Sequence, residues 1–104
     1  MTVAVSTGSL DRLQRLYYTG YGDSFLDTAL RKLIERQIAR DESDLARIEA
    51  ELVCFEERYS MSSDQFWQQY QEGHLRDTED FTEWNVFCKM RRRIMSRLEI
   101  LHEQ

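Results

Sequence analysis

The absence of helix-breaking residues constrains this chain more than any other feature of its sequence. The 104 residues include no proline, and three of the four glycines lie within the first 22 positions. From Asp23 to Gly73, and again from His74 to Gln104, nothing in the sequence interrupts a helix. The length suits one domain of ordinary size, residues 1–104. The sequence therefore predicts a single all-α domain.

A heptad pattern of apolar residues predicts a long helix from Ser24 to Tyr59. The apolar positions are separated alternately by four and three residues, and Asp41 occupies the one step at which an apolar residue is missing. This spacing is typical of helices that pack side by side at a shallow angle. Ser24 and Asp27 resemble a capping box at its start. The apolar seam consists of Ile34, Ile38, Leu45, Ile48, Leu52, Phe55 and Tyr59.

Three shorter helices and an N-terminal arm complete the prediction. Residues 1–8 have the composition of an irregular arm, and residues 9–18 that of a short helix, followed by a glycine-containing turn. A second short helix over residues 63–72 ends at Gly73, and a last helix covers residues 79–101. The expected N-caps are Ser9 for the first helix, Ser62 with Gln65 for the second, and Asp77 or Thr78 for the last.

The connection between the two long helices is too short to do anything but reverse the chain direction. We therefore expect a long antiparallel helical hairpin, resembling a coiled coil, with one short helix at the reversal and another at the N-terminus. A helix of 23 residues is about 35 Å long, whereas one of 36 residues is about 54 Å long. The N-terminal part of the longer helix would then lack a cover.

That N-terminal part carries a row of large apolar side chains. Burying a leucine stabilises a protein by about 1.5–3 kcal/mol, so an exposed row of this kind indicates a contact surface. The tyrosines beside the glycine turn can serve either as simple packing residues or as interface anchors. The predicted partner-binding residues are Leu13, Leu16, Tyr17, Tyr18, Tyr21, Phe25, Leu26, Leu30, Leu33 and Ile34.

Negative charge is concentrated in the middle of the chain. The net charge is −5, yet residues 41–83 hold thirteen acidic and three basic residues, a net charge of −10. Such a segment repels phosphates and attracts a basic protein. A solvated helix face is the simpler explanation for Glu49, Glu51, Glu56 and Glu57, and favourable placement at a helix start for Asp77, Glu79 and Asp80.

No group of residues indicates catalysis or a bound cofactor. His74 and His102 lie where solvated histidines are expected, and no metal-binding or phosphate-binding motif occurs. The basic run at residues 89–93 spreads around a helix, as on an ordinary solvated face. Cys54 and Cys88 are expected to be packing residues, although a bridge between facing helices stays possible. We expect no enzyme activity, no cofactor, no metal and no direct nucleic-acid binding.

The sequence also indicates where the chain is found. No stretch approaches the roughly 20 apolar residues that cross a bilayer. The N-terminal segment lacks the basic start and apolar run of a secretory signal. The two cysteines are typical of thiols in a reducing compartment. We expect a cytoplasmic protein without membrane contact.

Residues 57–87 resemble a recurring pattern in small helical proteins of prokaryotes. In that pattern a charged helix leads into an aromatic–Gly/Ser–Met–Ser turn, which is followed by a Phe-aromatic helix, Gly-x-Leu, an acidic pair and Phe-x-Glu-Trp. This chain departs from the pattern at two places. Ser60 stands where glycine is more usual, and at Asp77–Thr78 the acidic run is interrupted. The matching residues are Tyr59, Met61, Ser62, Phe66, Trp67, Gly73, Leu75, Asp80, Phe81, Glu83 and Trp84.

Proteins with this pattern are often encoded beside small toxin-like proteins and are regarded as antitoxins. The resemblance implies that this chain binds and neutralises a cognate toxin, for which a basic, nuclease-like protein suits the acidic segment. The alternative is a structural homo-oligomer that pairs through the free ends of its long helices and has no toxin partner. Either function predicts a homodimer or a hetero-oligomer.

Overall fold

The computed structural model describes residues 2–20 and 22–103, and of residues 2–7 it describes the backbone alone. The described chain forms four helices and no strand, which confirms the predicted all-α fold. Two compact units, Met1–Ile34 and Glu35–Gln104, divide the chain at a point within the second helix. The helices are α1 (Thr2–Tyr18), α2 (Ser24–Tyr59), α3 (Ser63–Gln71) and α4 (Glu79–Leu101).

Helix α1 is longer than the sequence pattern predicts. It begins at Thr2, so the expected irregular arm over residues 1–8 and the expected N-cap at Ser9 are wrong, and Ser9 lies inside the helix. No proline precedes Ser9, and the single Gly8 lowers helix propensity without preventing a helix. The helix ends at the predicted turn, where Gly20 has a φ of +89°.

The start of α2 is capped by Asp23 rather than by Ser24. The Asp23 carboxylate accepts a hydrogen bond from the Leu26 backbone N–H at 2.7 Å, and Ser24 is the first residue of the helix. A carboxylate at this place satisfies an unpaired N–H and interacts favourably with the positive end of the helix dipole. The predicted capping box of Ser24 and Asp27 is therefore wrong: the cap lies one residue earlier, and the residue three positions after it, Leu26, has no polar side chain to complete a box.

The second unit is the predicted antiparallel hairpin. The C-terminal part of α2 packs against α4, and α3 closes the end at which the chain reverses. Trp84 is fully buried at the centre and stacks on Phe66 with ring centroids 4.0 Å apart. Its indole N–H donates to the Ser63 hydroxyl at 3.0 Å, so no polar atom of the ring is left unsatisfied. The core residues are Ile48, Leu52, Phe55, Phe66, Trp84, Cys88, Ile94 and Leu98.

Local hydrogen bonds fix the turn between α2 and α3. The Ser62 hydroxyl accepts from the Gln65 backbone N–H at 3.1 Å, as the capping pattern predicts. The Glu56 carboxylate accepts from the Ser63 N–H at 2.8 Å, so Glu56 is not part of a freely solvated face. Ser60 adopts a φ of +52°, a left-handed conformation that favours glycine.

The predicted start and stop signals of the last two helices are confirmed. Gly73, with a φ of +78°, follows α3. The Thr78 hydroxyl caps α4 by accepting from the Phe81 N–H at 3.0 Å. Asp77 has another role, because its carboxylate accepts from the Tyr70 hydroxyl at 2.8 Å.

Asp41, the polar residue within the apolar seam of α2, forms an ion pair with Arg97 of α4. Its side chain is 1% exposed and accepts from Arg97 through both carboxylate oxygens, at 3.1 Å from Nε and 2.8 Å from Nη2. Gln37 donates a further hydrogen bond to it at 3.0 Å. The Arg97 guanidinium lowers the pKa of the Asp41 carboxyl below its usual 3.8. A charged side chain is thereby accommodated in an otherwise apolar seam.

Candidate protein-binding surface

The N-terminal unit leaves much of its apolar surface in contact with solvent. Tyr18 and Phe25 are each 79% exposed, and Leu33 is 61% exposed. Large apolar side chains stabilise a protein only when they are removed from water. In their exposed positions these residues therefore contribute little to the stability of the N-terminal unit. We call the exposed residues the N-terminal apolar set: Leu10, Leu16, Tyr18, Phe25, Leu33 and Ile34.

The other predicted partner-binding residues are more enclosed. Leu13, Tyr17, Leu26 and Leu30 are half-buried within the N-terminal unit. They support the exposed residues and present less of their own surface. Tyr21 was also predicted to bind a partner, but it lies outside the described residues.

Tyr17 connects α1 to the first turn of α2. Its hydroxyl donates a hydrogen bond to the Asp27 carboxylate. This hydrogen bond, with burial and the neighbouring negative charges, raises the pKa of Tyr17 to about 12. Tyr17 is thus a structural residue of the unit. Its neighbour Tyr18 accepts a long hydrogen bond, 3.5 Å, from the Gln14 side chain at its hydroxyl, and it remains 79% exposed.

Leu10 was not among the predicted site residues, although its side chain is 63% exposed. A usable signal was present, because Leu10 falls three residues before Leu13 and six before Leu16, on the same stripe of α1. The expectation of a short helix beginning at Ser9 placed Leu10 at a helix end. The longer α1 places it within the helix.

The acidic segment has two kinds of carboxylate. Glu49, Glu51 and Glu57 are exposed. Asp80, in contrast, accepts from the Tyr59 hydroxyl at 2.5 Å and pairs with Arg58 at 2.8 Å, and both contacts lower the pKa of its carboxyl. The first kind therefore carries negative charge that is open to solvent, while the charge of Asp80 is balanced by Arg58.

Cys88 and Arg92 of α4 have structural contacts, whereas Cys54 of α2 is exposed. Cys88 is buried, and burial raises the pKa of its thiol to about 11. Cys54 is exposed, so the expectation that it packs in the core is wrong, and the two thiols are free. Arg92 lies over the Trp67 ring at 4.5 Å from its centroid.

Within the described part of the chain, no group of histidine, cysteine and carboxylate side chains has an arrangement that could hold a metal ion. Among the same residues, no helix combines the length and the apolar character that crossing a membrane requires. No protein-family model matches the chain, and no curated protein or solved structure matches it.

Proposed function

We propose that this chain is a non-enzymatic, cytoplasmic protein-binding protein, an antitoxin that holds and neutralises a small toxin through its N-terminal apolar set. The observation that supports this most directly is the exposure of Tyr18, Phe25 and Leu33 on one small unit. Aromatic and aliphatic side chains of this size are the usual anchors of protein interfaces. The resemblance of residues 57–87 to antitoxin-like proteins adds the class of partner.

The charge of the partner follows from the acidic segment. Residues 41–83 carry a net charge of −10, and Glu49, Glu51 and Glu57 are exposed on it. A basic toxin would be drawn to this segment over several ångströms, which increases the association rate more than the final affinity. The apolar anchors would then account for most of the affinity. Binding should therefore slow at high salt while the complex, once formed, dissociates at nearly the same rate.

The test is co-expression with a small basic protein encoded beside the gene, followed by purification and measurement of the dissociation constant. Replacement of an anchor, Leu33→Glu, should weaken binding at least about tenfold, because an anchor contributes more than about 1.4 kcal/mol. Ile100→Glu is the matched control, since Ile100 is 65% exposed but belongs to the second unit. It should leave the affinity unchanged.

Two results would count against the proposal. One is equal binding by the Leu33→Glu and Ile100→Glu variants, which would place the contact elsewhere. The other is an intact complex after removal of residues 1–35. Self-association through Leu33, in the absence of any second protein, would instead support the structural homo-oligomer.

A further inference from the structure

A line of side chains along α4 changes from acidic at the N-terminal end of the helix to basic at the C-terminal end. Its members are separated alternately by four and three residues, so they lie along one side of the helix. All of them are exposed, including Val86 at 48% and Met90 at 39%. From the N-terminal end the line reads acidic, acidic, apolar, apolar, basic, basic. We call it the α4 stripe: Glu79, Glu83, Val86, Met90, Arg93 and Arg97.

An open groove lies beside the α4 stripe. It runs between α2 and α4, has a volume of about 920 Å³, and is bordered by residues of these two helices alone. Ile48, Phe87 and Ile94 contribute its apolar surface, and the small Ala50 lies on the α2 side. The charged residues of α2 that also line it are Asp44, Arg47 and Glu51. This side of the hairpin has space for the side chains of another helix.

We propose that the α4 stripe binds the α4 stripe of a second copy of this chain, with the two helices antiparallel. If Val86 lies opposite Met90 of the second copy, the constant spacing places Glu83 opposite Arg93 of that copy. The same two-fold relation repeats each contact with the roles exchanged, as an isologous interface requires. Glu79 would then approach Arg97 of the second copy.

Of the charges in this pairing, Glu83 and Arg93 have no ion-pair partner within the described part of the chain, and Arg97 has one. Arg97 pairs with Asp41, yet its side chain remains 50% exposed and keeps donors for a second carboxylate.

The order of charges selects the second copy over other occupants. A parallel arrangement of two stripes would bring like charges together, which is unfavourable, whereas the antiparallel arrangement matches every charge with its opposite. An unrelated helix would need the same inverted order to match as well. The apolar centre at Val86 and Met90 adds contact area that is now in water.

Charge reversal tests this pairing directly, with sedimentation or light scattering as the measurement of mass. The wild-type chain should be a dimer. Glu83→Arg places two arginines opposite each other, and Arg93→Glu places two glutamates opposite each other, so each variant alone should be monomeric. An equimolar mixture of the two variants should form a heterodimer, and the double variant Glu83→Arg/Arg93→Glu should recover the homodimer.

Arg92→Glu is the matched control, because it makes the same charge change on the next residue of α4, on the side that faces Trp67. It should remain dimeric. Circular dichroism of each variant establishes that the helices persist, and recovery in the mixture excludes misfolding as the cause of the monomers. A monomeric wild-type chain, single variants that stay dimeric, or a mixture that stays monomeric would each overturn the proposal.

This inference is independent of the proposed antitoxin function. Leu33→Glu removes an anchor of the N-terminal apolar set and leaves the α4 stripe unchanged, so that variant should remain dimeric. A dimer that is lost with Leu33→Glu and unaffected by Glu83→Arg would place self-association in the N-terminal unit and refute pairing through α4.

Discussion

Leu52 and Val53 are neighbours in α2, but one side chain is buried and the other is exposed. Truncation to alanine should therefore lower the free energy of unfolding at Leu52 and hardly change it at Val53. Leu52 is 2% exposed in the hairpin core, whereas Val53 is 46% exposed. Leu52→Ala removes buried carbon atoms at about 0.8 kcal/mol each and leaves a cavity, a loss of about 3 kcal/mol with a range of about 2–5. Val53→Ala removes solvated atoms and slightly improves helix propensity, so it should change stability by less than about 0.5 kcal/mol.

The assay is urea unfolding followed by tryptophan fluorescence. Trp67 and Trp84 both lie in the second unit, so the signal reports on the hairpin. Thermal unfolding should show the Leu52→Ala midpoint lower by roughly 10–25 °C, because 1 kcal/mol corresponds to about 4–8 °C in a domain of this size. Equal losses for the Leu52 and Val53 variants, or a Leu52→Ala loss below about 1 kcal/mol, would refute the assignment of Leu52 to the core.

Three further expectations concern single side chains. Because pairing with Arg97 holds the folded-state pKa of Asp41 below 3.8, its stabilisation is present above that pH and is lost as the pH falls through the lower, folded-state pKa. Asp41→Asn should therefore be less stable at neutral pH and should lose less stability in thermal melts between about pH 5 and pH 2; an unchanged acid profile would contradict the ion pair. Ser60→Gly should raise the free energy of unfolding by about 0.5–1 kcal/mol in urea titrations, because it relieves a left-handed backbone; destabilisation would show that the turn is unstrained. With a thiol reagent, Cys54 should react in the native protein and Cys88 only after unfolding, so equal rates would show that Cys88 is accessible.

The heptad seam predicted the hairpin because it is a local property of the sequence. The four-three spacing from Ile34 to Tyr59 and the cap at Thr78 are both readable within a few residues, and the corresponding helices begin and end close to where they were expected. The start of α1 was not readable in this way, because residues 1–8 carry no clear apolar periodicity. The sequence pattern predicted Ser24 as the cap of α2, and the cap is Asp23; the two neighbouring side chains are both good N-cap residues, so the local pattern does not distinguish them.

Contacts between distant parts of the chain could not be predicted from one sequence. Asp41 and Arg97 are 56 positions apart, and the pattern showed only that Asp41 interrupts the seam. Glu56 looked like one member of a solvated face, yet its carboxylate caps the Ser63 N–H across the turn. Of the candidate site, the exposure of Phe25, Leu33 and Ile34 in α2 was predicted from the unequal helix lengths. The half-buried state of Leu13 and Leu26 depends on packing within the unit.

The single ion pair within the seam also limits how α4 can slide along α2. A shift of α4 by one helical turn would place the Asp41 carboxylate opposite Ile94 or Leu101 in place of Arg97, and a buried carboxylate without a cation is strongly disfavoured. A seam of apolar side chains alone would tolerate such a shift at a lower cost, because each apolar contact could be replaced by a similar one. Asp41 and Arg97 therefore favour one register of the hairpin at the end opposite the reversal, as the contacts of Trp84 with Ser63 and Phe66 do at the reversal itself.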